Sequence, residues 1–123
     1  MATILVVDDE LVNRQLLTAI LGPNGHELYQ AGNGREALEI AKQRLPDLTI
    51  VDLFMPQMNG TQFIRAMRAD ARTADLEIAL YTATTQDAAM HDFMQAYGVR
   101  YVIAKPSEPQ AVRDVVEAAL KRR

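Results

Sequence analysis

The sequence predicts an α/β domain in which a parallel sheet is covered by helices on both faces. Three observations point there. Strand and helix signals alternate five times along the 123 residues. The run Leu48-Thr49-Ile50-Val51 is apolar apart from Thr49, the pattern of a strand buried on both sides. Helical segments separate successive strands, which favours parallel pairing through right-handed crossovers. Periodicity alone leaves the strand order open.

Each element has its own signal. The first strand is Thr3 to Val7. A helix follows from about Glu10 to Leu21, with Val12, Leu16, Ala19 and Ile20 on its apolar face. Gly22-Pro23-Asn24-Gly25 stops it. The second strand is Glu27 to Gln30. Asn33 reads as a helix N-cap with Glu36 three residues on, and Ala37, Leu38, Ala41 and Leu45 form the stripe to be buried before Pro46 ends the helix. The third strand is Leu48 to Val51, and Phe54 to Gly60 is a loop. The third helix begins near Thr61 and buries Phe63, Ile64 and Met67. The polar connection Asp70 to Asp75 leads to a fourth strand, Glu77 to Tyr81. The fourth helix runs from about Gln86 to Tyr97, with Ala89, Phe93 and Tyr97 at helical spacing, and Gly98 falls where a left-handed residue closes a helix. The fifth strand is Tyr101 to Ala104. The last helix has Ser107 as its expected N-cap and Val112, Val115, Val116, Ala119 and Leu120 as its core face.

Composition narrows the class. The chain reads as one domain, residues 1–123, long enough for a proper core. Its apolar share of 49% and charged share of 24% are those of an ordinary globular protein. Having no cysteine, it excludes disulfides, zinc thiolates and cysteine nucleophiles. A formal charge of -3 argues against direct nucleic-acid binding. No apolar stretch is long enough for membrane insertion. Met1-Ala2-Thr3 runs straight into a strand with no room for a signal peptide, so a cytoplasmic location is expected.

The chemistry sits at the strand ends. Asp8 and Asp9 close the apolar run Ile4-Leu5-Val6-Val7, and Asp52 closes Leu48 to Val51. In a parallel sheet the carboxyl ends of the strands share one edge, where ligands bind. If the first and third strands are neighbours, the three acids converge. Two unit charges about 4 Å apart repel by roughly 4 kcal/mol at an effective dielectric of about 20, so such a cluster holds a proton or a hard cation. Later strands add the Thr82 hydroxyl and the Lys105 ammonium at the same edge. Together these groups suit a phosphoryl group and Mg²⁺.

Four segments in this order carry a family resemblance: Val7-Asp8-Asp9, Asp52-Leu53-Phe54-Met55-Pro56-Gln57-Met58-Asn59-Gly60, Thr82-Ala83 and Lys105-Pro106. The chain resembles a response-regulator receiver domain of two-component signalling over essentially its whole length. The resemblance implies a flavodoxin-like (βα)5 three-layer sandwich with strand order 2-1-3-4-5. It implies Asp52 as phosphoacceptor from a phosphohistidine. Mg²⁺, or Mn²⁺ in its place, would be bound by Asp9, by Asp52, by Asp8 largely through water, and by the backbone carbonyl of Phe54. Thr82 would donate a hydrogen bond to the phosphoryl group, Lys105 would supply a positive charge, and small Ala83 would let its backbone N–H approach. It also implies a cis Lys105-Pro106 bond, a form otherwise seen in only about 5–6% of X-Pro bonds.

One position departs from the family. Receivers usually carry an aromatic residue three before the lysine; here that switch position is Val102, and strand alternation points Tyr101 to the opposite face. Tyr81, just before Thr82, is an available substitute, although an aromatic on an interior strand is ordinarily core. The segments Asp8-Asp9-Glu10-Leu11-Val12-Asn13-Arg14 and His26-Glu27 followed by Asn33-Gly34-Arg35-Glu36-Ala37-Leu38 are similar to receivers of hybrid histidine kinases and phosphorelays.

Simpler roles stand beside these. Asp at a strand end commonly caps the next helix. Phe93, Met94 and Tyr97 fit either a docking face or packing on the sheet. Phe54, Met55 and Met58 beside the acceptor either touch a partner or fill gaps. Arg65, Arg68 and Arg72 read as a solvated face, His26 and His91 as ordinary surface residues, and Lys121-Arg122-Arg123 as a basic helix end.

The expected function is a phosphorylation-dependent signalling switch, not a turnover enzyme. Its phosphoryl source would be a histidine kinase or histidine phosphotransfer protein, and its downstream partner a protein that the sequence leaves unnamed. One alternative is a non-phosphorylated interaction module on the same fold. The other, an aspartyl-nucleophile phosphatase, lacks a cap over the site.

Overall fold

The computed structural model describes residues 2–55, 57–83 and 87–121. In chain order its elements are β1 (Thr3–Val7), α1 (Leu11–Leu21), a 3-10 turn (Gly22–Asn24), β2 (Glu27–Ala31), α2 (Gly34–Arg44), β3 (Leu48–Val51), α3 (Gly60–Ala69), β4 (Glu77–Thr82), α4 (Ala88–Ala96), β5 (Tyr101–Ala104) and α5 (Pro109–Lys121). All five strands are parallel, in the order β2-β1-β3-β4-β5. This is the doubly wound flavodoxin-like order, and the chain reverses its winding direction at β1 and β3. Among the described residues no helix is long and apolar enough to cross a membrane.

Strand alternation divides the core in two. Leu5, Val7, Val51, Ile78 and Leu80 point to the side covered by α2, α3 and α4, where they meet Ala37, Ala41, Phe63, Ile64 and Met67. Ile4, Val6, Ile50, Ala79 and Ile103 point to the other side and meet Leu17 and Leu21 of α1 and Val112, Val116 and Ala119 of α5. Every residue of β3 is buried.

Local chemistry starts and stops the helices. Asn59 Oδ1 accepts from the Gln62 N–H at 3.0 Å while Gln62 Oε1 accepts from the Asn59 N–H at 2.9 Å, a complete capping box on α3. Asn33 caps α2 by accepting from the Glu36 N–H at 2.8 Å, but the Glu36 carboxylate reaches the Gly32 N–H instead of the cap's own. Asp87 caps α4 by accepting from the Met90 N–H. The expected start of that helix, Gln86, lies outside the described residues, as do Pro56 of the loop after β3 and the terminal Arg122 and Arg123. Gly98 takes a φ of 66°, the left-handed geometry expected behind α4.

Four expectations are corrected. The buried stripe of α1 is Leu17, Ile20 and Leu21; Val12 is 71% exposed, and Leu16 and Ala19 are exposed too. This helix is apolar around more than half its circumference, so two stripes share the helical period and contact with α5 selects one. Leu45 does not join the stripe of α2. Pro46 bars its predecessor from the right-handed helical region, and Leu45 turns outward with φ 46° as the C-cap. Ser107 is not the cap of α5, because its hydroxyl donates to the Ala104 carbonyl at 2.6 Å. Pro109 opens that helix, its fixed φ suiting the first turn. Finally, Arg68 is not on a solvated face. Its guanidinium donates to the carbonyls of Tyr97 (2.7 Å), Ala74 (3.0 Å) and Leu76 (2.7 Å), tying α3 to the chain entering β4 and β5. Arg65 lies over the rings of Phe93 and Tyr97, and Arg72 pairs with Asp70 at 3.1 Å.

Candidate functional site

The sheet register brings the acids together. Val7 pairs with Ala31 on one side and Val51 on the other. The ladder runs one residue further: the Asp8 N–H donates to the Ala31 carbonyl at 3.1 Å, and the Asp52 N–H donates to the Val7 carbonyl at 2.9 Å. Asp8 and Asp52 therefore leave the sheet side by side. Asp8 Oδ1 accepts the Glu10 N–H at 2.9 Å, turning the chain out of β1 and into α1. Arg14 donates to the Asp8 carbonyl at 2.6 Å and to Gln30 Oε1 at 3.2 Å, which fixes that turn against β2. Asp52 Oδ1 accepts the Phe54 N–H at 3.3 Å.

The fourth and fifth strands complete the edge. Thr82 stands opposite Ala104, and the Lys105 N–H donates to the Thr82 carbonyl at 3.0 Å. From there the Lys105 ammonium reaches Asp8 Oδ2 at 2.9 Å and Asp52 Oδ2 at 3.3 Å. One carboxylate oxygen from each of Asp8, Asp9 and Asp52 lies within 4.8 Å of the other two. Asp8 is wholly buried, Asp52 is 6% exposed and Asp9 is exposed, so the cluster opens to water on the Asp9 side.

Three acids facing one ammonium leave excess negative charge in a confined place. Burial raises the Asp52 carboxyl above the usual carboxylate range; Lys105 opposes that rise and Asp8 adds to it. Burial works against the Lys105 charge, but contact with Asp8 and the field of Asp52 outweigh it and hold its pKa above the ordinary lysine range. Among the described residues, Asp8 Oδ2 has the ion pair with Lys105 and no hydrogen bond of good geometry. A buried, under-satisfied oxygen beside two more carboxylates fits a hard divalent cation with oxygen ligands, Mg²⁺ or Mn²⁺.

The remaining predicted residues fall around this centre. Thr82 is 3% exposed and, with exposed Ala83 and Pro106, lines the hollow above Asp52. The Lys105-Pro106 bond is cis. The Phe54 side chain is 67% exposed at the mouth. Val102 packs half-buried against the cluster under α2, α3 and α4, while Tyr101 packs on the opposite face. Two close contacts at the site were not expected from the sequence. The ring of Tyr81 lies 4.8 Å from the Lys105 ammonium. Gly60 packs so close to the Asp52 carbonyl that any Cβ there would overlap it.

A doubly wound parallel sheet with a buried acid pair, an exposed third acid, a threonine and a lysine at its switch point has the groups to hold a hard cation and an anionic ligand. The comparisons agree. The chain matches the response regulator receiver domain over residues 4–117, and it belongs to that family. It is 32% identical to protein PilH of Pseudomonas aeruginosa over 120 residues, covering 98% of each chain. It is 33% identical over 119 residues to the DNA-binding response regulator MtrA of Mycobacterium tuberculosis, covering 97% of this chain but only 50% of MtrA. The chemotaxis protein CheY4 of Vibrio cholerae superimposes with a TM-score of 0.90 at 30% identity, covering 97% of this chain and 98% of that one. The chain is a receiver domain of the phosphorylation-dependent signalling class.

Proposed function

We propose that Asp52 is the phosphoacceptor of this switch and that a phosphohistidine on another protein is its donor. The observation that carries this reading is the convergence of Asp8, Asp9 and Asp52 within 4.8 Å, with the Lys105 ammonium against two of them. An Asp52 carboxylate oxygen attacks phosphorus, the P–N bond breaks, and the imidazole leaves with the electron pair. The product is an acyl phosphate on Asp52. Lys105 turns from the carboxylates toward the phosphoryl oxygens, Thr82 donates a hydrogen bond to one of them, and the small side chain of Ala83 leaves its N–H accessible. Asp9, Asp52, Asp8 through a water, and the Phe54 carbonyl would hold Mg²⁺, which when bound neutralises charge between carboxylate and phosphoryl oxygens. Attack of water on the acyl phosphate returns the domain to its resting state. The reaction serves signalling, with self-phosphorylation and autodephosphorylation as its only chemistry.

The donor's docking surface is the apolar rim of the site. Leu11, Val12 and Leu16 of α1 and Phe54 after β3 are exposed, and Leu16 and Phe54 line the mouth. Two exposed apolar side chains at the rim of a charged hollow, with two more on α1, are the arrangement of an interface, with anchors outside and chemistry within.

Acetyl phosphate with Mg²⁺ tests the reading without a protein donor. Intact mass should rise by one phosphoryl group in the wild-type chain and not in Asp52→Asn. No gain in the wild type, or the same gain in both, rejects Asp52 as acceptor.

A further inference from the structure

Among the described residues, the Lys105 ammonium meets two acids and a ring. On the third side stands the Tyr81 ring, its centroid 4.8 Å from Nζ. A cation within about 6 Å of a ring face is drawn to it, more strongly where water is excluded. Water is largely excluded here: Tyr81 is 3% exposed, and 17% of the Lys105 side chain remains accessible. The ring is also held rigidly. Tyr81 pairs with Ile103 across β5 and shares a cluster with Val6, Ile50, Val112 and Val116. Yet it lines the same hollow as Asp52, Thr82 and Lys105. It is core and site wall at once.

We infer that Tyr81 is a positioning residue of the phosphoryl site: its ring face holds the Lys105 ammonium beside Asp8 and Asp52. The inference rests on the reading of Asp52 as phosphoacceptor. A lysine ammonium is a point charge on a flexible four-carbon stem, and this hollow has an open side through which it can swing. The fixed ring removes those rotamers. The attraction follows the position of the charge and does not depend on aligning an N–H bond. It therefore persists while the ammonium turns from carboxylate to phosphoryl oxygen. An aliphatic side chain of similar volume fills the core and supplies no such field.

Tyr81→Leu and Tyr81→Phe are compared with wild type, each also in a Lys105→Met background. The readouts are the initial rate of Asp52 phosphorylation by acetyl phosphate and the proton shift of the Lys105 ε-methylene by NMR. The ε-protons should be shifted upfield by the ring in wild type and Tyr81→Phe and lose that shift in Tyr81→Leu. The phosphorylation rate should fall roughly three- to tenfold in Tyr81→Leu, tenfold corresponding to about 1.4 kcal/mol, and stay within about twofold in Tyr81→Phe. On the residual rate of Lys105→Met, Tyr81→Leu should have no further effect, because the partner it acts through is gone. A wild-type rate in Tyr81→Leu, an equal loss in Tyr81→Phe, or the same fractional loss without Lys105 overturns the inference. If Tyr81→Leu does not fold, the wild-type spectrum decides: unshifted ε-protons reject the ring contact. A wild-type chain that takes up no phosphoryl group defeats the Asp52 reading instead, and the spectrum still decides for or against the ring.

Discussion

Asp52 is buried beside Asp8, and its carboxyl is held above the usual range chiefly by burial, against the pull of Lys105. A carboxyl whose folded pKa is raised keeps its proton longer in the folded chain than in the unfolded one. Between the ordinary carboxylate pKa and the raised one, stability therefore falls as pH rises. In chelator, Asp52→Asn should melt higher than wild type at pH 7, and the gap should close as the pH drops through the carboxylate range. Thermal scans from pH 7 to pH 4 measure this; a variant less stable than wild type at pH 7 contradicts it. The acids, Thr82 and Lys105 were legible in the sequence because strand ends mark the edge where they meet. Tyr81 was legible as a strand residue and as a stand-in for the missing switch aromatic, but not as the neighbour of Lys105, since nothing in sequence spacing tells which buried ring a lysine on the next strand will lie over. Arg68 looked like a surface cation, because its partners are backbone carbonyls, which leave no trace in residue type.

Helix α1 shows where periodicity stops informing. Leu11, Val12, Leu16, Leu17, Ala19, Ile20 and Leu21 hold two overlapping stripes, and the one facing α5 is buried. The other stays outside, and Leu16 of it lines the hollow above Asp52. Replacing Val12 or Leu16 by Asp should slow phosphoryl transfer from a charged histidine phosphotransfer protein about tenfold or more, as expected for an interface anchor. Labelling by acetyl phosphate should stay within about twofold of wild type. Comparable losses with both donors would place these residues in folding or chemistry and not in docking. By contrast, α3 buries the stripe its sequence predicts, Phe63, Ile64 and Met67, and starts at a capping box on Asn59 that the sequence reading did not single out. Asn59→Ala removes the cap and should lower stability by about 1 kcal/mol, a fall of roughly 4 °C in Tm, measured by calorimetry against wild type.

For the whole molecule, the alternation of strands and helices gave the layers but not their order, since several parallel orders satisfy the same pattern; the family resemblance supplied 2-1-3-4-5. That order matters because it places β1 beside β3 and so makes a charge cluster out of acids 43 or 44 positions apart. The unfolded chain has no such hollow. A divalent cation that binds it binds only the folded state, and stabilises by ~2.7 kcal/mol at a concentration of 100 times Kd. Lys105 occupies two of the same carboxylates. Asp9→Asn should lose most of the Mg²⁺-induced rise in Tm, because it removes the exposed ligand through which the site opens. Lys105→Met should do the opposite. Without Mg²⁺ it should melt below wild type, since fully buried Asp8 loses the ammonium paired with it. With Mg²⁺ its Tm should rise by more than that of wild type, because no ammonium then competes for Asp8 and Asp52. Calorimetry of the three proteins in chelator and in MgCl₂ reads all of this. Equal increments in all three would mean that the cation binds elsewhere and that the cluster is only a charged turn.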